Sequence, residues 1–590
     1  MTHPVYALAL DPASGEWLSF KAPVQCVEAL SVNEVPAALA EVERLSQSRR
    51  LWAVGWVSYE ASSAFDPGFT TKDDNEFPKV WFALFDEPIR LPSLPINTTT
   101  STLGWNPEIS ESQYERAIKD IHSRIKRGDT YQVNYSFRLS TTAPSAPLNL
   151  FQKMVQSQAG RYSAYLSTER FSILSASPEL FFEKKGRTIT SKPMKGTRRR
   201  GRTNSEDETV SIDLAQSEKD RAENTMIVDM VRNDLSRIAD RGSVKVSDLC
   251  TVEKYPHIFQ MTSEVTAQSD ASLLEIFTAL FPPASITGAP KGSTMEIISQ
   301  LENSPRRIYT GALGVISPHE RMWFNVAIRT TLVDHSKESA EYGVGSGIVW
   351  DSQATLEFQE CVDKAGAVTA LSAPEHLFET ILWEPHVGFF LLEEHLTRLR
   401  ESAYYHQIPF DYEKARAMTR QLEETLSQQS TPHRIRLKLG LNGTFSAETS
   451  ELIPFKEPYT LSFAQTPVSS SDRRLFHKTA QREPYTEALG CVPACADIIL
   501  WNERGEITET RIANIALELQ GTLFTPPVSS GLLAGCYRKH LLEKGAIHER
   551  VLFKEDVLQA SRIVLLNSLR RSWEGRLIAP HSHQPLTASN

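Results

Sequence analysis

At 590 residues the chain is longer than one compact core sustains, and its length predicts two to four folding units. With 41% hydrophobic and 23% charged residues it has the balance of an ordinary globular protein rather than a disordered one. The net charge of −9 is spread along the sequence with no long basic run to follow a phosphate backbone, so nucleic acid is not expected as a partner.

The opening Met1-Thr2-His3-Pro4-Val5-Tyr6 has no charged segment leading into an apolar one, and no apolar run reaches membrane-spanning length. Six cysteines (Cys26, Cys250, Cys361, Cys491, Cys495, Cys536) are scattered without a histidine cluster, so neither a zinc site nor a disulfide framework is expected. A reducing cytoplasm is the expected location. Residues 88–102, rich in Pro, Ser and Thr, read as a loop. Tyr162–Leu166, Phe171–Ala176, Leu180–Glu183 and Thr188–Ile189 read as neighbouring short strands. The basic patch Arg198-Arg199-Arg200-Gly201-Arg202 reads as a solvated loop. Residues 212–239 repeat apolar side chains every three or four positions, through Met226, Ile227, Met230, Val231, Leu235 and Ile238, and predict a helix. Strands cluster instead of alternating with helices, which predicts mixed α+β architecture. Around residues 366–376 a helix-like stretch gives way to a strand-like Leu377–Trp383, and Gln465–Asp472 reads as a linker inside the second half. No fixed-period repeat is present.

The first chemical constellation suits a small anion. Ser177-Pro178-Glu179 follows a strand, which predicts Glu179 at a strand end facing a cleft. Lys195 lies between Pro193-Met194 and Gly196, predicting a turn. Glu223 opens the apolar part of the 212–239 helix. Glu357 and Glu360, spaced i, i+3, share a helix face, with Lys364 one turn on. Carboxylates so placed, beside a third, could hold Mg²⁺. The runs Ile286–Gly292 and Tyr342–Ile348 offer glycine backbone for close approach to an anion. Taken singly, such a glutamate pair is ordinarily a solvated helix face and such a glycine run a turn.

Together these residues, with Glu223-Asn224-Thr225-Met226-Ile227-Val228-Asp229, Arg232-Asn233-Asp234, Thr287-Gly288-Ala289-Pro290-Lys291, Ile328-Arg329-Thr330 and Gly347-Ile348-Val349 through Glu360, resemble the chorismate-utilising family in order over about residues 105–365. Anthranilate synthase, aminodeoxychorismate synthase component I and the isochorismate enzymes belong to it. Val54–Glu60 also looks like the family's N-terminal part. The resemblance implies a two-lobed α/β sandwich with chorismate and Mg²⁺ in its cleft. Glu223 and Glu360 would bind the metal, with Glu357 close by. Arg329, Lys364, Tyr309 and the backbone near Gly345 would hold substrate carboxylates, with His257 and Thr287 lining the pocket.

Two positions select the branch. Isochorismate-forming relatives carry a water-activating lysine where this chain has Gln132, and a glutamine cannot act as that base. Anthranilate synthases carry alanine where this chain has Lys195; aminodeoxychorismate synthases carry lysine. An amine desolvated at a buried turn becomes a nucleophile. The expectation is that Lys195 attacks ring C2 while Glu179 protonates the departing C4 hydroxyl, after which ammonia at C4 expels the lysine. Met194, where isoleucine is commoner, is a near volume-conserving departure.

After residue 373 the motifs change to Phe378-Glu379-Thr380-Ile381, His395-Leu396-Thr397-Arg398-Leu399, Arg434-Ile435-Arg436-Leu437, His477-Lys478-Thr479, Ile507 to Ile515 and Gly531 to Arg538. A pyridoxal-phosphate enzyme needs a lysine for the cofactor's aldehyde, a carboxylate for its pyridine nitrogen, and cationic or backbone donors for its phosphate. Lys478, Glu509 and Arg398 are those types, with backbone near Ile512 and Gly535–Cys536. Singly each reads as a surface residue. As a set they resemble the class IV aminotransferase fold over about residues 374–590, and Phe378-Glu379-Thr380 leans toward aminodeoxychorismate lyase. Cys536-Tyr537 departs from the usual Ile-Thr. The resemblance implies proton removal by Lys478, loss of pyruvate, and a homodimer.

The expected organisation is therefore residues 1–370 as a chorismate-utilising synthase (core about 105–365) and 371–590 as a class IV pyridoxal-phosphate-dependent lyase. Together they would convert chorismate to 4-aminobenzoate for folate biosynthesis. No Gly-x-Cys-x-Gly nucleophile elbow is visible, so ammonia is expected from solution or from a separate glutamine amidotransferase subunit. The rivals are an anthranilate synthase fused to a branched-chain or D-amino-acid aminotransferase, against which Lys195 argues, and a catalytically dead binding protein, against which the intact acids and lysines argue.

Overall fold

The computed structural model describes residues 5–94, 103–158, 160–369, 374–454, 458–488 and 495–578. Part of the 88–102 loop, the centre of the 366–376 seam and Cys491 lie outside them. The chain divides into two compact units. The first comprises Met1–Arg200 and Val210–Ser372, the second Gly201–Thr209 and Ala373–Asn590.

The first unit is a four-layer α/β sandwich, built as two ten-stranded, antiparallel-paired sheets among the described residues. Alternation along the strand Trp52–Val57 shows the logic. Trp52, Val54 and Trp56 point into a core shared with Ala7, Leu18 and Leu332 of the other sheet. Ala53 and Val57 instead face helices Val35–Arg49 and Glu218–Ser236, among Leu39, Val42, Ile227 and Leu235. With both faces covered, every residue of this strand is buried. Such a strand reads as an apolar run rather than an alternation of polar and apolar residues. The second sheet buries its outer face against Glu111–Arg127, Pro147–Gln158 and Ala354–Thr369, through Tyr114, Phe151 and Cys361. At its centre Gln132–Thr142 pairs with Ser339–Ile348, so that Tyr135 stands opposite Ser346.

The four short strands expected near residues 162–189 form, as Ala164–Ser167, Phe171–Ser175, Leu180–Lys185 and Thr188–Lys192. Four other local expectations need correction. The helix read over 212–239 is two helices, Asn204–Gln216 and Glu218–Ser236. Between them Ser217 is extended and its hydroxyl caps the Asp220 amide at 3.3 Å, a helix start that apolar periodicity does not register. Lys195 lies not in a turn but on the strand Met194–Arg199. The basic patch is no solvated loop: Arg198 and Arg199 complete that strand, Arg198 pairs with Asp220 at 2.7 Å, and Arg200 is buried. Within the 88–102 loop, Ile89–Leu91 pairs as an edge strand with Trp17–Lys21.

The second unit holds two sheets. In the smaller, His376–Glu384 pairs with His433–Gly440, which pairs with Phe445–Glu451. One face buries Leu377, Ile381, Ile435 and Leu437 against helices Leu392–His406 and Tyr412–Leu426. In the larger, Ile507–Thr510 pairs with both Asp497–Trp501 and Asn514–Leu519, which closes the sheet on itself around Leu461, Ile499, Ile515 and Leu565. Lys478 follows the short 3₁₀ turn Arg473–Leu475, and its carbonyl accepts the Phe378 amide at 3.1 Å.

Candidate functional site

The first unit contains a cavity of about 240 Å³ whose wall includes Glu179, Lys195, Glu223, Arg329, Glu360 and Lys364. Lys195 reaches it through a defect in its own strand. The register of Met194–Arg199 against Ile258–Gln268 shifts between Met194 and Thr197, and Gly196 in that bulge has φ 95°. A side chain there would be strained and would crowd Asp220. The Lys195 amine ends 3.8 Å from a carboxylate oxygen of Glu223. It lies over Gly347, where a Cβ would stand 2.1 Å from Nζ.

Glu179 precedes Leu180–Lys185 and accepts a 2.6 Å hydrogen bond from the Ser285 hydroxyl. Burial pushes its carboxyl up to about 7, against the Ser285 hydrogen bond, the Met194 amide and the charge of Lys195. A carboxyl that keeps a substantial share of its protons at neutral pH can deliver one to a leaving group.

The helix Ala354–Thr369 brings Glu357, Glu360 and Lys364 to the same wall, as their spacing predicts. Lys364 donates to the Gly345 carbonyl at 2.8 Å and pairs with Glu360 at 2.6 Å. Burial works against Glu360's charge, but Lys364 outweighs it and holds the carboxyl below its ordinary value. Glu357 accepts from the Ser346 and Ser352 hydroxyls. Glu223 is pushed up by burial and, more weakly, by the charges of Asp220 and Glu357.

Glu223, Glu357 and Glu360 are the hard oxygen donors a Mg²⁺ ion takes, and they share one cavity. The mutual repulsion felt at Glu223 is of the kind a cation relieves. Among the described residues no three acids converge into a ready ligand cluster, because Lys195, Lys364 and the serine hydroxyls hold the carboxylates. The donor set fits the ion in kind, with those lysine contacts to be exchanged.

Tyr309 and Gly343 also line the wall, and a Cβ at 343 would strike the Tyr309 ring at 2.2 Å. Arg329, at φ 52°, donates to the Lys364 carbonyl at 2.9 Å. Two expected lining residues do not reach the cavity. His257 sits in the turn before Ile258–Gln268, and Gln260, on that strand, takes the place at the wall, donating to the Gly196 carbonyl at 2.8 Å. Thr287 turns its hydroxyl back onto the Pro283 carbonyl at 3.2 Å, while Ser285 and Ile286 face the cavity. Of the glycines in the two runs, those of Tyr342–Ile348 line the wall, whereas Gly288 and Gly292 do not. Gly288 instead allows close packing, since a Cβ there would meet the Gln132 carbonyl at 2.0 Å. Gln132 is fully buried beside Lys195 and Gly347, and its amide makes no hydrogen bond to the described residues.

The second unit has its own cavity, of about 440 Å³, lined by Lys478, Glu509 and Arg398. Burial, with Arg398 next, pulls the Lys478 amine down to about 8. Burial pushes Glu509 up to about 7, while the Tyr485 hydroxyl at 2.8 Å and the Leu533 amide at 3.2 Å steady its charged form. Glu379, missed as a site residue, lies behind the lining and anchors Arg398 and His395. It takes Arg398 bidentately at 2.8 and 2.6 Å and His395 Nδ1 at 2.7 Å. Burial opposes ionisation of His395, but Cys536 and Glu379 outweigh it and raise the imidazole to about 9. Arg398 also donates to the Ala534 carbonyl at 3.0 Å, which leaves guanidinium hydrogens for an anion. Gly535 opens the helix Cys536–Glu543 on the same wall. An amine, a buried carboxyl and a fixed guanidinium around one cavity are the donor set pyridoxal phosphate requires.

Residues 19–370 match the family described as chorismate binding enzyme, and residues 376–578 match amino-transferase class IV. Aminodeoxychorismate synthase component 1 of Bacillus subtilis is 33% identical over 357 residues, covering 54% of this chain and 76% of that protein. Its Escherichia coli namesake is 37% identical over 276 residues, covering 46% and 60%. The chain thus spans less than two thirds of the Escherichia coli protein's length. Anthranilate synthase component I from Streptococcus pneumoniae shares the fold of the first unit, with a TM-score of 0.52 and 24% identity over 62% of this chain and 90% of that one.

Proposed function

The chain belongs to the chorismate binding enzyme family, and on that premise we propose that its first unit aminates chorismate to 4-amino-4-deoxychorismate and its second cleaves that product to 4-aminobenzoate and pyruvate. The observation that carries the reading is the Lys195 amine, laid over Gly347 in the cavity that also holds Glu179. Lysine, rather than alanine, is the residue type of the 4-aminating branch. The named aminodeoxychorismate synthases among the relatives support the same branch.

In this reading Lys195 Nζ forms a bond to ring C2 as the C4 hydroxyl leaves with the proton of Glu179. Ammonia then bonds to C4 and the C2–N bond to Lys195 breaks, so Glu179 and Lys195 both return to use after the ammonia-derived proton is redistributed. Arg329 and Lys364 hold substrate carboxylates, and Glu223 and Glu360, with Glu357 beside them, hold Mg²⁺. The ion's role is to offset the carboxylate charge of the substrate. Residues 1–370 and 371–590 are taken as the two catalytic parts. A separate glutamine amidotransferase supplies ammonia, the second unit pairs with a second copy, and both reactions run in the cytoplasm. Among the described residues no helix is long and apolar enough to cross a membrane, and the described cysteines are free.

In the second unit Lys478 would hold pyridoxal phosphate, Glu509 would serve its pyridine nitrogen, and Arg398 with the Gly535–Cys536 backbone would take its phosphate. When bound, the cofactor supplies an electron sink. Lys478 Nζ takes the proton from C4, the amino-bearing carbon. Loss of that proton and of the C3 enolpyruvyl group leaves an aromatic ring.

The test incubates the purified chain with chorismate, ammonium, Mg²⁺ and pyridoxal phosphate and identifies products by chromatography. 4-Aminobenzoate and pyruvate are expected. 2-Aminobenzoate as the sole aromatic product overturns the assignment in favour of an anthranilate synthase. Robust turnover with glutamine in place of ammonium removes the need for a separate amidotransferase.

A further inference from the structure

The cavity of the second unit carries more positive charge than its cofactor chemistry uses. Arg398, Arg434, Arg436, Arg482, Arg511 and Arg570 line it together with Lys478, against the single carboxylate of Glu509. Several of these are committed elsewhere. Glu379 holds Arg398, and Asp497 holds Arg511 at 2.9 Å. Arg482 lies on the Tyr485 ring at 3.7 Å and donates to the Arg511 carbonyl. Arg570 donates to the Ile453 carbonyl at 2.6 Å.

Among the described residues Arg434 and Arg436 have no such anchor; Arg434 is exposed, whereas Arg436 is half-buried. The strand His433–Gly440 alternates its side chains, so Ile435, Leu437 and Leu439 enter the core while Arg434, Arg436 and Lys438 share the opposite face. Register places Phe378 and Thr380 of the neighbouring strand on that face, opposite Lys438 and Arg436. Glu448 faces Arg436 from the third strand but is paired with Lys438. The Arg436 guanidinium stacks 4.2 Å from the centre of the Phe378 ring, and its Nε is buried without a hydrogen-bond partner. The Lys478 amine is 5.0 Å from the centre of the same ring. An unpaired, half-buried guanidinium has a strong demand for a forked anion, and carboxylate meets it bidentately.

We propose that Arg436 is the carboxylate-recognising residue of the second active site, binding the ring carboxylate of the substrate whose amino end is directed to Lys478. The assignment rests on the lyase reading of the second unit and adds the residue that orients the substrate there. Both cations lie within 5.0 Å of the centre of the Phe378 ring, so a substrate whose amino end is at Lys478 has the Arg436 guanidinium beside it in the same cavity. Arg436 is then a specificity residue: it selects amines carrying an acid at the far end and leaves cofactor binding untouched.

The experiment uses the full chain loaded with pyridoxal phosphate and follows the cofactor's absorbance on titration with 4-aminobenzoate or with 4-methylaniline, which lacks the acid. The wild type is expected to bind 4-aminobenzoate at least about tenfold more tightly than 4-methylaniline. R436M should bring that ratio close to one, with the cofactor spectrum and melting temperature unchanged. It should also raise KM for 4-amino-4-deoxychorismate about tenfold or more while kcat changes little. R436K, which keeps the charge but not the fork, should show an intermediate ratio and decides the matter if R436M does not fold. A ratio in either variant equal to that of the wild type, or no preference in the wild type, overturns the assignment. If the ratios behave as expected but no variant or wild type cleaves 4-amino-4-deoxychorismate, the carboxylate site stands and the lyase reading falls.

Discussion

The amine of Lys195 rests on the backbone of Gly347, with only 2.1 Å between Nζ and the place a Cβ would occupy. One glycine therefore holds open the space in which the proposed nucleophile works. G347A must shift the amine within the cavity or move the strand Ser339–Ile348. A displacement of that order is expected to slow chorismate amination about a hundredfold. Cleavage of supplied 4-amino-4-deoxychorismate should be unchanged, which makes the second unit an internal control. An undiminished amination rate in G347A would show that Lys195 does not need this position.

Removing the amine itself is a sharper test. K195A should abolish 4-aminobenzoate formation from chorismate or redirect amination to C2. Product chromatography reads the outcome directly, and unchanged 4-aminobenzoate output removes Lys195 from the mechanism.

Glu179 links activity to stability. Its folded carboxyl titrates at about 7, above the ordinary 4.5, because burial disfavours the charge. The folded state therefore holds this proton more tightly than the unfolded chain. Below pH 4.5 the group is neutral in both states and carries no penalty. As pH rises from 4.5 through 7, stability is lost, by about 3 kcal/mol in all. E179Q should accordingly lose amination and gain up to about 3 kcal/mol at pH 8, but nothing at pH 4. Denaturant titrations at the two pH values check the sign. In the wild type, amination should decline as pH passes 7 and the proton donor ionises.

The Mg²⁺ assignment predicts a metal phenotype for a residue outside direct chemistry. E223Q should raise the Mg²⁺ concentration for half-maximal amination by about a hundredfold. Equal Mg²⁺ dependence in variant and wild type takes Glu223 out of the metal site.

In the second unit, K478A should leave amination intact while 4-aminobenzoate formation falls by about a thousandfold or more. 4-Amino-4-deoxychorismate should then accumulate and be visible as a separate chromatographic peak. Continued 4-aminobenzoate production at the wild-type rate assigns the proton transfer to another group.

Much of this molecule is legible in the amino-acid order alone. The short strands between residues 162 and 189, the change of motif after residue 373, and the shared face of Glu357, Glu360 and Lys364 all follow from side-chain period, which depends on neighbours two to four positions away. The alternation Arg434-x-Arg436-x-Lys438 is equally visible, although what it faces is not. Other features were decided only by packing between distant segments. Lys195 reads as a turn residue because proline and glycine flank it, yet pairing with Ile258–Gln268 draws it into a bulged strand. Gln260 rather than His257 reaches the cavity because the strand begins at Ile258, leaving His257 in the turn before it, and composition does not reveal where that strand begins. Gly347 supports Lys195 across a long stretch of chain, and Glu379 fixes Arg398 from the neighbouring strand. Local preference is written in nearest neighbours. A cavity wall is set by which buried surfaces find each other and by which backbone leaves room for a side chain from elsewhere, and those are properties of the closed structure.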